Sequence, residues 1–167
     1  MDDLENESKK FADQTIEIAE EIGLINRISK TYKGLKYEIL VYSDRISWKV
    51  ADKKFVWNNS ARLYGGELVF DFNTFGTKGL GQQWTDETFT IFNDRIKTIK
   101  VEWTENTFYP NGQSLGHKQF WDEFFESGDK MKAVKETTFY RTMNNNGFSK
   151  IQTILDDYQQ TIVILTK

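Results

Sequence analysis

The sequence predicts an α+β fold: a mainly antiparallel, curved sheet packed by an N-terminal helix and two shorter C-terminal helices. Apolar residues recur at helical spacing in the first twenty-five positions, then alternate with polar ones, as in strands. Aromatic residues make up 15% of the chain, and rings favour sheets. A length of 167 residues suits a single domain spanning 1–167, with residues 1–5 frayed.

The N-terminal helix is expected over residues 3–22. Its apolar positions are seven, seven, four and three residues apart, which places them on one helical stripe: Leu4, Phe11, Ile18, Ile22 and Ile25. Gly23 can accept a left-handed cap conformation and end the helix there. The alternative is a helix that continues to about Ser29.

Short strands in a meander are predicted next, because apolar and polar residues alternate between turn residues. The expected strands centre on 37–41, 46–50, 55–57 and 68–72. The glycine-rich stretch from Thr74 to Gln83 is predicted to be a loop.

The segment from Phe89 to Trp103 is predicted to be a β-hairpin at the centre of the sheet. Phe89 and Ile91 share one face of its first strand, and the second strand alternates up to Trp103. The turn is placed at Asn93 to Arg95.

The rest of the chain is predicted to alternate helices and strands. Residues 105–116 are turn-rich, and a short helix with aromatic residues follows, ending near Gly128. Met131 to Thr142 is predicted to be a strand and 148–158 a helix, with a strand as the alternative for 150–159. The apolar run 162–165 predicts an interior strand with both faces covered.

Composition and motifs argue against several functional classes. The chain has no Cys, which excludes disulfides and thiol chemistry. Its acidic, polar start argues against a secretory signal, so a cytoplasmic protein is expected. The one histidine, His117, is expected in solvent at a helix start. Because no catalytic or cofactor motif is found, we predict a protein that is not an enzyme and uses neither cofactor nor metal.

Charge is distributed in blocks along the chain. Residues 1–21 and 63–129 each carry a net charge of −6, whereas 22–62 carry +6 and 130–167 carry +3. The basic stretch 27–62 contains interleaved aromatic residues, a pattern that also suits single-stranded nucleic acid. However, Trp48 has the parity of Ile46 and Val50, which predicts buried rings instead.

The acidic, aromatic stretch around the short helix is the candidate binding site. Aromatic anchors among charged residues are typical of protein interfaces. The candidate partner-binding residues are Glu102, Glu105, Tyr109, Trp121, Asp122, Glu123 and Glu126.

A small acidic α+β protein without catalytic motifs is typical of dedicated inhibitors. We therefore predict a protein-binding inhibitor, most concretely an immunity-type protein that neutralises a bacterial toxin whose binding domain is basic. The alternatives are a small-molecule binder with an aromatic-lined pocket and a single-stranded nucleic-acid binder through 27–62. Neither a membrane partner nor a particular oligomeric state is predicted.

Overall fold

The computed structural model describes residues 10, 21–51, 59–71, 78–104, 115–157 and 160–167. In this part of the chain eight strands, mostly antiparallel, occur with four α-helices, which confirms the predicted α+β class. The chain divides into two compact units, residues 1–60 and 61–167, and the single-domain expectation stays a prediction. Of the expected N-terminal helix, Lys10 and Glu21 are helical, and the residues between them lie outside the described ranges.

The first unit contains an antiparallel meander of three strands, β1 (Asn26–Tyr32), β2 (Leu35–Val41) and β3 (Arg45–Val50). A two-residue turn joins β1 to β2, with φ of 49° at Lys33 and 82° at Gly34, as a tight hairpin requires. Because β1 starts at Asn26, the alternative of a helix continuing to Ser29 is wrong. The strand expected at 55–57 lies outside the described residues.

The two faces of this meander differ sharply in polarity. Directly opposed residues share a face, and one face is buried and apolar: Tyr37, Ile39, Val41, Ile46, Trp48 and Val50. The other face carries mostly polar side chains: Arg27, Ser29, Thr31, Lys36, Glu38 and Lys49. Period-two alternation therefore predicted β2, β3 and the burial of Trp48 correctly, whereas strand β1 was not predicted.

The second unit contains strands β4 (Ser60–Tyr64, starting at the last residue of the first unit), β5 (Glu67–Asp71), β6 (Thr98–Thr104), β7 (Lys150–Asp157) and β8 (Gln160–Thr166). Their spatial order is β4-β5-β6-β8-β7. β5 and β6 are parallel, whereas β8 pairs antiparallel with β6 and β7.

The predicted central hairpin from Phe89 to Trp103 is wrong. Helix α1 (Leu80–Phe92) and a 3₁₀ turn (Asn93–Arg95) precede β6 and supply the crossover between the parallel strands. Buried residues recur every four positions along α1: Leu80, Trp84, Thr88 and Phe92. The loop expected up to Gln83 is therefore helical from Leu80, and 74–77 lie outside the described residues.

Two of the four elements predicted after residue 115 are corrected. The helix with aromatic residues exists as α2 (Leu115–Ser127). The strand predicted from Met131 to Thr142 is instead two short helices, α3 (Lys130–Lys135) and α4 (Thr138–Asn144). The helix predicted over 148–158 is wrong, since strand β7 occupies that segment, as the alternative proposed.

The final strand is interior, as predicted, because β8 lies between β6 and β7. One of its faces is fully buried through Thr161, Val163 and Leu165, and the other is half-buried. The buried face includes Trp103 of β6, directly opposite Thr161, and helices α2 and α4 pack on Trp103.

Candidate protein-binding site

Helix α2 is held against the sheet by one very close contact. A Cβ atom built on Gly116 would lie 2.8 Å from Cε2 and 2.9 Å from Cδ1 of Trp103, and nearer still to its Nε1. The indole ring therefore occupies the space that any other side chain would need. This contact places the first turn of α2 directly on β6.

A series of aromatic contacts extends from this buried position to the protein surface. Phe120 is fully buried, with its ring centroid 5.7 Å from Trp103, and it stacks on Phe124 at 5.8 Å. Trp121 lies 5.4 Å from Phe124 and 5.3 Å from Phe125. Phe125 is 79% exposed, although it follows directly on this packed series. We call Trp121, Phe124 and Phe125 the aromatic face.

Acidic residues surround the aromatic face, but their local pairing differs. Asp122 forms an ion pair with Lys118 one turn earlier, and Glu123 lies 3.3 Å from Lys132 of α3. Glu126 is exposed and has no ion pair within the described ranges. Glu126 is thus the carboxylate on α2 with the least intramolecular compensation there.

The next helix starts beside this surface and contributes a cation. Gly128, at φ of 68°, ends α2 as predicted, and its N–H donates to the Phe124 carbonyl oxygen at 2.8 Å. Lys130 then places its ammonium 5.9 Å from the Phe124 ring and 3.6 Å from a carboxylate oxygen of Asp156. The Lys130 ammonium thus has contacts to both Phe124 of α2 and Asp156 of β7.

The sequence-predicted site residues do not all lie together. Trp121, Asp122, Glu123 and Glu126 share helix α2, as predicted. Glu102 is separated from them, because it directly precedes Trp103, which faces the helices, and successive strand residues alternate between the two faces. Its carboxylate contacts Lys100 at 3.1 Å and accepts a hydrogen bond from Gln160. The hydrogen bond and charge of Glu102 raise the pKa of Lys100 above its ordinary value. Glu105 and Tyr109 lie outside the described residues.

Three features of this site were missed or misplaced. Phe125 was not among the candidate residues, although its spacing of four from Trp121 is the signal that could have found it. The partners Lys118 and Lys132 were missed as well. His117, expected in solvent, is 3% exposed and its ring centroid lies 6.2 Å from Trp121. The early position of His117 in α2 suggested exposure, but it points toward the core.

A second surface, in the first unit, is polar and basic. A depression of about 620 Å³ lies over the polar face of the meander, and Tyr37 is its one aromatic lining residue. This depression is therefore not the aromatic-lined pocket that was expected for a small-molecule binder. Among the described residues, no group of three or more metal-ligating side chains is close enough to hold a metal ion.

No protein-family model, curated protein or solved structure matches this chain. In the described part of the chain no helix is both long and apolar enough to cross a membrane.

Proposed function

We propose that this chain is a non-catalytic protein-binding inhibitor whose docking element is helix α2. The observation that supports this proposal most is Phe125, a large ring exposed at 79% beside Trp121 and Phe124. Exposed aromatic side chains among charged ones are enriched at binding hot spots. Because the neighbouring rings pack on buried Phe120, little ordering entropy remains to be lost when a partner covers them.

The charge around the rings indicates the chemistry of the partner. Asp122 and Glu123 are largely compensated by lysines, whereas Glu126 has no such ion pair in the described part of the chain. A partner with a pocket for an aromatic ring and a basic rim would complement this arrangement. We propose a cytoplasmic immunity-type protein, whose partner is a toxin with a basic active site, such as a nuclease.

The test starts by capturing the partner with tagged protein from nuclease-treated host extract, alongside a Phe125→Ala variant. The purified partner is then titrated calorimetrically. We expect Phe125→Ala to weaken binding about 30-fold or more, which corresponds to roughly 2 kcal/mol at a hot spot. The partner's toxic activity should fall in proportion to the complex formed.

A matched pair of variants tests the electrostatic part. Glu126→Gln should slow association and reduce its dependence on salt, because an exposed charge acts mainly on encounter. Glu102→Gln removes the same charge from the other side of β6 and should leave the association rate unchanged. Equal binding by the parent and the Phe125→Ala variant, or a partner that stays active in the complex, would overturn the proposal.

A further inference from the structure

We propose that the polar face of the β1–β2–β3 meander binds the phosphodiester backbone of a nucleic acid, without stacking on its bases. This site concerns the first unit alone and does not depend on the function proposed for helix α2. It is defined by three cationic side chains, Arg27, Lys36 and Lys49, and we call it the basic face. All three line the depression of about 620 Å³.

The strand register determines which charges share this face. Ser29 is opposite Glu38, Glu38 is opposite Lys49, and Thr31 is opposite Lys36. Arg27 is opposite Leu40, two residues further along β2. Ordinary strand geometry then separates the Cβ atoms of Lys36 and Lys49 by about 8 Å, and those of Arg27 and Lys49 by about 12 Å. Flexible side chains on such a grid can reach successive phosphates, and the hydroxyl groups of Ser29 and Thr31 lie on β1 beside them.

The local charge balance favours an anionic ligand. Glu38 is the one carboxylate that lines the depression, and it is already bound by Arg27, with 2.8 Å between Nη1 and Oε2. Lys30 also lines the depression, although the strand register pairs it with Tyr37 and not with the residues of the basic face. The described segment 22–51, which contains the meander, carries six basic and two acidic residues, a net charge of +4, whereas the whole chain carries −3.

Because the aromatic rings of the meander are buried, bases cannot stack on them at the basic face. Tyr37 is 3% exposed and Trp48 is fully buried, because both belong to the opposite, apolar face of the meander. The face that carries the cations presents hydroxyl, ammonium and guanidinium groups instead. These groups contact phosphates and give affinity without sequence preference. The ligand class is therefore a nucleic-acid backbone.

Fluorescence anisotropy with a labelled 16-base-pair DNA duplex, measured over a range of salt concentrations, tests the site. With Arg27 held by Glu38, phosphate contacts by Lys36 and Lys49 predict that log K falls with log salt with a slope of about −1.8, and removing both contacts should leave a slope near zero. The test variant is Lys36→Gln with Lys49→Gln. The control, Lys135→Gln with Lys150→Gln, removes the same charge from exposed positions of the second unit and should keep the parental slope.

A second variant keeps the test decisive if the double substitution destabilises the meander. Ser29→Asp adds a carboxylate to the basic face, opposite Glu38, without removing any lysine, and should also weaken DNA binding. The proposal is overturned if the duplex does not bind at low salt, or if test and control variants have the same slope. It is also overturned if polyglutamate binds but the duplex does not, because the face would then fit an acidic protein.

Discussion

At the residue scale, Gly116 makes the most constrained contact in helix α2. Its missing side chain lets the Trp103 indole ring lie directly against the helix backbone. The ring in turn contacts Phe120 at 5.7 Å and Phe139 at 6.0 Å. A methyl group at position 116 would therefore push against a ring that is held on two further sides.

We expect Gly116→Ala to lower the free energy of unfolding by about 1–3 kcal/mol, as overpacking does in close-packed cores. Urea denaturation followed by tryptophan fluorescence measures the change. Glu126→Ala, at an exposed position of the same helix, should change stability by less than about 0.5 kcal/mol. If the two variants are equally stable, the close contact of Gly116 with Trp103 does not constrain the fold.

Sequence reasoning treats Gly116 as the end of a turn-rich stretch, since a glycine after Pro110 and Gly112 resembles loop sequence. Nothing local indicates that its neighbour in space is Trp103, thirteen positions earlier. Likewise the buried position of His117 depends on how α2 lies on the sheet. Such tertiary contacts override the preferences of individual residues.

At the scale of elements, helix α3 depends on a specific cap. The side chain of Asp129 accepts a hydrogen bond from the N–H of Lys132 at 3.1 Å, which satisfies one of the free donors at the helix start. The segment from Met131 was predicted to be a strand, whereas this cap starts a helix at Lys130. Asp129 after Gly128 marks the end of one helix and the start of the next.

Replacing Asp129 by Ala should cost about 1 kcal/mol, because the cap is lost while the helix keeps its other contacts. Thermal unfolding monitored by circular dichroism gives the stability change. Glu126→Ala removes the same charge without removing a cap, so its midpoint should stay within a degree or two of the parent. Identical shifts for both variants would mean that charge, not capping, sets the effect.

Helix α1 shows why the rest of the secondary structure was harder to predict. Its sequence contains three threonines and alternates like a strand from Thr88 to Phe92. In the helix these hydroxyl groups donate to carbonyl oxygens one turn earlier, for example Thr88 to Trp84 at 2.8 Å and Thr90 to Asp86 at 2.9 Å. Strand-like composition is therefore compatible with a helix when its buried positions recur every four residues.

The meander of β1 to β3, with its clear alternation, contains no such conflict, and its last two strands were predicted at the positions observed.

At the scale of the whole molecule, the strand order predicts how protection from hydrogen exchange is distributed in the second unit. β8 has a strand on each side, whereas β7 is the last strand in the order and pairs with β8 alone among the described strands. Interior strands open less readily than edge strands.

Amides of 160–166 should therefore exchange more slowly than the outward amides of 150–157. Mass-spectrometric hydrogen exchange at neutral pH resolves the two segments in separate peptides. The two segments are adjacent in the chain and pair with each other, so a difference in sequence separation does not explain a difference in exchange. Faster exchange in 160–166 than in 150–157 would contradict the strand order.

The charge blocks also belong to this scale. The sequence gives their positions along the chain but not the surfaces on which they lie. The +6 block contains the basic face, and the −6 block from 63 to 129 contains helix α2. Glu102 and Glu126 both belong to the acidic block. The sequence could not show that they lie apart, because Trp103 faces helix α2 and its neighbour Glu102 points to the opposite face of β6.

The central place of β8 has a consequence for the growing chain. β6 is complete at Thr104, but its antiparallel neighbour starts at Gln160, after helices α2 to α4 and β7 have been made. At about 5–20 residues per second, synthesis leaves that side of β6 without its partner for roughly 3 to 11 s. During this interval Ile99, Val101 and Trp103 lie beside an open strand edge, which is a template for wrong pairing. Folding yield in the cell should therefore depend more on the speed of translation through 105–160 than on the stability of the finished sheet.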